Sequence, residues 1–361
     1  MEGMNMTRDR LERLRENFEA QEIEAMLVMQ PENRRYLSGF TGTFGVLVIG
    51  FQEAYLITDF RYVEQAEKQA SEFKVVKYGN SIYETLSEVL KKLDVNKVGF
   101  EAEHVTYAQF VNLRDKLDFV TLKPVEGLIE RLRQFKDEGE IDLIRRAVVI
   151  ADKAFEHILS YLRPGVKEKE IALELEFFMR RNGAEKAAFD IIVASGPRGS
   201  LPHGVASDRQ VQPGDLIVMD FGAVYQGYHS DITRTVVVGE PDERQKEIYN
   251  IVLEAQVAAI KAIKPGKVTS EIDLVARNII AGYGYGEHFG HGLGHGVGLA
   301  VHERPRLAST DFTQLETGMV MTVEPGIYVK DWGGVRIEDM VVVRENGCEV
   351  LTGATKKLLT I

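Results

Sequence analysis

GDLIVMDFGAVYQGYHSDITRTVVV, residues 214–238, sets two apolar runs on either side of a turn signal at Tyr225, Gln226 and Gly227, with an aspartate beside each run. Folding a hairpin at that turn places Asp220 opposite Asp231. Directly opposed residues of an antiparallel pair face the same side, with Cβ atoms roughly 5 Å apart. Two like charges that close repel, so one takes up a proton or a cation sits between them. The stretch GMVMTVEPG (318–326) resembles GDLIVMDFG (214–222) about 104 residues later, and puts Glu324 where Asp220 stood. In VEPGIYVKDWGGVRIEDMVVV the turn falls around Asp331 to Gly334, which sets Glu324 opposite Glu338. A second pair, LRPGVKEKEI (162–171) and IKPGKVTSEI (263–272), recurs at about 101 residues. A near-constant offset is what a duplicated helix–strand unit leaves behind. The apolar runs read as strands buried on both faces, each ending in a carboxylate. Such a carboxylate is costly unless paired or bound to a metal. Four of them converging by pseudo-symmetry form a cation site.

Between the carboxylate runs lies HFGHGLGHGVGLAVHE, residues 288–303. Gly290, Gly292, Gly294, Gly296 and Gly298 alternate strictly. In a helix each would cost around 1 kcal/mol, so the stretch reads as an extended strand. Residues of one parity share a face, which aligns His291, Leu293, His295 and Val297. The glycines leave the other face bare for another backbone or a ligand. His302 has the wrong parity and needs a bend or bulge after Leu299 to reach the same site. His203, in GSLPHG, sits in a Pro/Gly loop of the kind that carries functional groups. Arg336, two residues before Glu338, shares that strand's face and can clamp a carboxylate. His104 reads as a surface or core residue, and His229 and His288 have no pattern behind them. Four carboxylates and an imidazole are mostly hard donors, suiting Mn, Co or Fe better than a thiolate-rich zinc site. They exceed the needs of one ion, so a two-ion hydrolytic centre is expected.

The rest of the chain bounds that reading. Its 361 residues suffice for two domains, and its 44% hydrophobic and 27% charged content is ordinary for a globular protein. The net charge of −11 without a long basic run excludes a nucleic-acid binder of the usual kind. No run of about eighteen apolar residues predicts a membrane span. The charged start has no apolar signal region, and the single Cys348 rules out an intrachain disulfide or CxxC site, so a cytoplasmic protein is expected. Residues 7–22 read as an amphipathic helix carrying Leu11, Leu14 and Phe18, with Ile23 just beyond. The runs 25–29, 44–49, 54–58, 73–78 and 97–100 read as strands alternating with helices at 61–70 and 81–93. The expected architecture is a small N-terminal α/β domain, residues 1–132, followed by a second domain, residues 133–361, that opens with a long helix closed by Pro164-Gly165.

Five motifs, VASGPRGSLPHG, MDFGAVYQGYHSDITRT, GHGLGHGVGLAVHE, TVEPGIY and GGVRIED, together resemble the metallopeptidases of the creatinase/prolidase "pita-bread" fold. NRRYLSGFTG and ITDFRYVEQA resemble that family's N-terminal domain. The resemblance implies a pseudo-twofold duplicated catalytic domain with a curved antiparallel sheet. It implies Asp220, Asp231, His295, Glu324 and Glu338 as ligands of two divalent ions, manganese first, with Co, Zn or Fe as alternatives. Asp231 and Glu338 would contact both ions, and Glu324 would also act as general base. His203, His291 and His302 would bind substrate or stabilise the tetrahedral intermediate, with Arg336 supporting the site. The implied reaction is hydrolysis of the bond before proline in an Xaa-Pro dipeptide. The alternatives are an Xaa-Pro aminopeptidase acting on longer peptides and, more remotely, a silent peptide- or protein-binding module. The implied partner is a small peptide with proline second, and the implied assembly is a homodimer.

Overall fold

The structure is a computed structural model that describes residues 2–361. It divides into two compact units, Met1–Arg133 and Gln134–Ile361. In the first, strands β1 (Ala25–Val28), β2 (Val46–Gly50), β3 (Ala54–Thr58), β4 (Lys74–Lys77), β5 (Lys97–Glu101) and β6 (Thr121–Val125) form one mixed sheet in the order 4-3-2-1-5-6. The five anticipated runs are its first five strands. The sixth, TLKPV, carries a proline that only an edge position tolerates, and it lies at the edge. Helix α1 spans Glu2–Arg15, shorter at its C-terminal end than the 7–22 anticipated. Beyond Arg15 the backbone tightens, Phe18 N–H bonding Arg15 O, and Glu22 takes a φ of 50° that no α-helix continues. Leu11, Leu14, Phe18 and Ile23 are nevertheless all buried, so the apolar spacing marked the inward face while missing the turn.

The second unit is built twice. Two long helices (Glu138–Leu159 and Glu243–Ala262) start at matching capping boxes, Asp137 with Glu140 and Asp242 with Gln245. Each is followed through a Pro-Gly turn by a shorter helix, Glu168–Arg181 and Thr269–Gly282. The turns dock alike, Gly165 N–H on Val211 O and Gly266 N–H on Leu315 O. The first half continues with β7 (Lys186–Ala187), β8 (Ile192–Ser195), β9 (Leu216–Phe221), β10 (Ala223–Tyr225), β11 (Tyr228–His229) and β12 (Ile232–Val237). The second continues with β13 (Gly294–Gly296), β14 (Glu303–Leu307), β15 (Val320–Val323), β16 (Gly326–Val329), β17 (Gly333–Arg336), β18 (Asp339–Arg344) and β19 (Gly347–Val350). The trio 8-9-12 of one half corresponds to 13-15-18 of the other, and every ladder between named strands in this unit is antiparallel. Each half packs its helices on its own strands, giving two cores, one around Phe155, Leu175 and Met219 and one around Val252, Ile272 and Met321. The halves meet where Glu338 N–H bonds Thr233 O, next to the acidic residues.

Two details of pairing differ from expectation. Asp220 lies opposite Thr233, not Asp231, because the turn is the two-residue Gln226-Gly227 with Tyr225 against Tyr228. Both turn residues have positive φ, 46° and 76°, as a type I′ turn requires. The register is therefore off by two, which keeps both aspartates on one face. In the second hairpin the pairs Gly326↔Arg336 and Val323↔Asp339 place Glu324 level with Glu338, although Pro325 interrupts the ladder there.

Candidate metal centre

Both hairpins deliver their carboxylates to one buried spot, and β13 delivers an imidazole. His295 Nε2 lies 3.3 Å from Glu324 Oε1 and 3.6 Å from Asp231 Oδ2. Donor atoms of Asp231, His295 and Glu338 all fall within 4.8 Å of one another. His295 Nδ1 is 3.1 Å from Gly296 O, which fixes the proton on Nδ1 and turns a bare Nε2 lone pair toward two carboxylates. Asp220 Oδ1, Asp231 Oδ1 and Glu338 Oε1 are buried with no hydrogen-bond partner among the described residues. Buried carboxylate oxygens without a partner, gathered beside an imidazole lone pair, need a proton or a cation, and the donor set fits a divalent cation.

The remaining valences are spoken for by the chain. Thr233 Oγ1 donates to Glu338 Oε2 at 2.7 Å, and Thr322 Oγ1 donates to Glu324 Oε1 at 3.0 Å while accepting His295 N–H. The Arg336 guanidinium, buried, donates to Asp220 Oδ2, to Thr233 Oγ1 and to Tyr328 Oη. Burial, reinforced by Glu338 and Asp220, pushes the Asp231 carboxyl well above the carboxylate range. Burial with Glu324 and Asp220 does the same to Glu338, and burial raises Glu324. Burial lowers His291, His295 and His302, keeping all three neutral.

The glycine-rich stretch is regular only over Gly294–Gly296. Leu293, expected beside the histidines, goes to the core instead; it sits at a bend ahead of β13, its N–H on Asp273 Oδ1. The close approach that the glycines permit is to backbone. A Cβ on Gly294 would lie 2.1 Å from Thr322 O, and one on Gly296 2.3 Å from Arg304 O. A run of bends from Gly298 to His302 carries His302 round to meet the His295 ring, 4.4 Å between centroids. Glu303 pins that bend, accepting Ala300 N–H and pairing with buried Lys136.

Asp220, Asp231, His295, Glu324 and Arg336 share a cavity of about 600 Å³ with His203, His291 and His302, while Glu338 lies beneath it. His288 lies apart, on Tyr328 O, and His229 on Gly298 O. Two contributors escaped the sequence reading. Tyr328, whose hydroxyl joins His291 to Arg336, looks like any strand aromatic. Arg306 faces the cavity with its side chain exposed, and only its position five residues before Asp311, which holds its N–H, ties it to a loop.

Comparison with known proteins matches the chain to two family models, "Metallopeptidase family M24" over residues 142–345 and "Creatinase/Prolidase N-terminal domain" over residues 10–135. An Xaa-Pro dipeptidase structure from Bacillus anthracis superposes with a TM-score of 0.97 at 49% identity, covering 98% of this chain and 100% of that one. The Xaa-Pro dipeptidase of Pyrococcus furiosus is 43% identical over 98% of this chain and its own full length. An X-Pro aminopeptidase structure from Thermotoga maritima gives a TM-score of 0.89 at 42% identity, covering 94% of this chain and 98% of that one. The chain belongs to metallopeptidase family M24, in the branch that carries a creatinase/prolidase N-terminal domain.

Proposed function

We propose that this protein hydrolyses the peptide bond before proline in Xaa-Pro dipeptides, using two divalent ions held by Asp220, Asp231, His295, Glu324 and Glu338. The observation that carries this reading is the buried cluster in which donor atoms of Asp231, His295 and Glu338 lie within 4.8 Å of one another, with a carboxylate oxygen each of Asp220, Asp231 and Glu338 left without a hydrogen-bond partner among the described residues. When bound, such ions polarise the scissile carbonyl and activate a water. The chain does the rest. Glu324, with Oε1 held by Thr322, takes the proton of the attacking water and passes it to the proline nitrogen as the bond breaks. His203 and His302 hold the peptide oxygens and its amino end, while His291, its ring nitrogens taken by Gly292 O and Tyr328 Oη, lines the cavity beside them. Phe189, Ile192, Val205 and Val301 offer the proline ring an apolar wall. The imide nitrogen carries no N–H, so shape selects it.

Dipeptides are favoured over longer peptides because Arg306 puts a cation at the cavity, where a dipeptide's own carboxylate lies one residue from the scissile bond. Manganese suits the hard donor set. A homodimer and a cytoplasmic setting complete the reading; the second is supported by the single cysteine, and among the described residues no helix is long and apolar enough to cross a membrane. The two compact units support 1–132 and 133–361 as domains.

The test is proline release from Ala-Pro against Ala-Pro extended by two residues, with each metal added back. Asp220→Asn and His295→Ala should each abolish release while leaving the melting transition in place, and the dipeptide should be the better substrate. Full activity after metal stripping would sink the reading, and preference for the extended peptide would make the protein an aminopeptidase.

A further inference from the structure

His203 reaches the cavity on a loop segment whose far end is tied to β8 by an isolated bridge between Val205 and Ile192. Residues 201–204 lie outside any strand or helix, and Leu201, His203 and Val205 are all exposed. Within the segment the backbone bonds are short-range, Gly204 N–H to Leu201 O and Val205 N–H to His203 O. On the side of the centre, Arg336 Nη1 donates to Pro202 O at 3.2 Å.

On the other side stands Glu168, the first residue of its helix and fully buried. Its Oε1 accepts Ser195 N–H at 2.8 Å and Ser195 Oγ at 2.7 Å. Its Oε2 accepts Arg198 Nε at 3.1 Å, Ser207 N–H at 3.0 Å and Ser207 Oγ at 2.6 Å. Ser195, Arg198 and Ser207 flank the His203 segment on both sides, and Arg198 Nη2 continues to Val205 O at 2.6 Å, two residues from His203. A buried carboxylate is tolerated only when it is this fully hydrogen-bonded. The second half holds its corresponding loop with a different set of groups. At the matching place in the second half stands Thr269, whose hydroxyl lies 2.7 Å from Asp311 O and 3.2 Å from the Asp311 carboxylate, which also accepts Arg306 N–H and Thr313 N–H.

We propose that Glu168 is a positioning residue, outside the metal centre, that presents His203 to the substrate by gathering both ends of its loop. This rests on the Xaa-Pro hydrolase reading. Glu168→Gln leaves the size unchanged but turns one acceptor oxygen into a donor facing other donors. Its kcat/KM for Ala-Pro should fall about ten- to a hundredfold, the scale of a small misplacement of a substrate-holding group. Metal content should stay close to that of the parent, while the melting temperature falls, as a buried donor facing donors requires.

A merely structural role would also lower activity, so the deciding measurement is the double variant with His203→Ala. If Glu168 acts through His203, adding Glu168→Gln to His203→Ala costs less than about twofold more. Multiplying losses would overturn the proposal, as would a fully active Glu168→Gln. Should Glu168→Gln fail to fold, Arg198→Gln cuts the same link at a partly exposed residue and must show the same non-additivity. Hydrogen exchange gives a readout free of any substrate. The 201–205 amides should exchange faster in either variant while 293–297 stay protected, and unchanged exchange at 201–205 would overturn the clamp. Absence of Xaa-Pro hydrolysis in the parent would refute the assigned reaction, with the exchange result still deciding the clamp.

Discussion

At the level of single residues, Tyr328 decides how His291 meets the cavity. Arg336 can only donate, so the Tyr328 oxygen accepts from its Nη1 at 2.8 Å and the phenol proton must go elsewhere. The acceptor 2.8 Å away is His291 Nε2, which leaves the imidazole proton on Nδ1, directed at Gly292 O 2.7 Å distant. Burial pushes the phenol up to about 12 and lowers the imidazole, so at neutral pH the relay runs from guanidinium to phenol to neutral ring. Tyr328→Phe removes the middle of it and leaves Nε2 without its donor. With a buried partner unsatisfied at a cost of about 1–3 kcal/mol, kcat/KM should drop roughly ten- to a hundredfold at unchanged metal content. Steady-state kinetics with metal analysis checks this, and wild-type kinetics would contradict it. Tyr328 closes the motif TVEPGIY, but nothing in the sequence gives it a role. The pattern GIYV gives a strand, and only the fold brings residues 291 and 336 to the same hydroxyl. The clustered carboxylates are easier to find because a charge at the end of an apolar run is anomalous by itself.

Among the elements, β13 and the two hairpins set the spacing of the centre. The first hairpin's register was misjudged by two residues, yet the candidate constellation stayed legible. A slip of an even number preserves which face each side chain takes, and Asp220 and Asp231 needed only that. The turn chemistry explains the error, since Gln226 in a left-handed conformation is not a signal that composition announces. The His-Gly stretch was read too regularly for a different reason. Alternation identifies faces only while a strand runs straight, and the chain bends at Leu293, before β13 begins. What did survive is the purpose of the glycines. Thr322, which Gly294 lets approach, holds His295 by its N–H and Glu324 by its carboxylate. Gly294→Ala must therefore push β13 from β15 and displace both site residues together. We expect a loss of about 1–3 kcal/mol in stability, the scale of overpacking, together with weakened metal retention. Gly290→Ala is the control, because a Cβ there meets nothing within 4 Å. Thermal melts and metal content of the two variants test the claim, which fails if Gly294→Ala matches Gly290→Ala in both.

For the molecule as a whole, duplication explains why the acidic centre can exist. Each half closes its own hydrophobic core, and the seam between them, at Thr233 and Glu338, is left for polar groups that neither half could bury alone. The cost of that seam depends on pH. Asp231, Glu324 and Glu338 have carboxyls raised by burial and by one another, so protein stripped of metal keeps protons in the folded state that the unfolded chain releases above about pH 4. A folded state that binds more protons than the unfolded one loses stability as pH rises. Cation binding has the opposite slope, because its ligands must be deprotonated, and it strengthens as pH rises. The melting temperature of chelator-treated protein should accordingly fall between about pH 5 and about pH 8, while that of manganese-loaded protein holds or climbs. The gap between the two curves should widen with pH. Replacing Glu338 by Gln removes one raised carboxyl and should flatten the stripped curve, even though it destroys the loaded one's advantage. A gap that stays constant across the range, in parent and variant alike, would mean that the buried carboxylates are not what the cation stabilises.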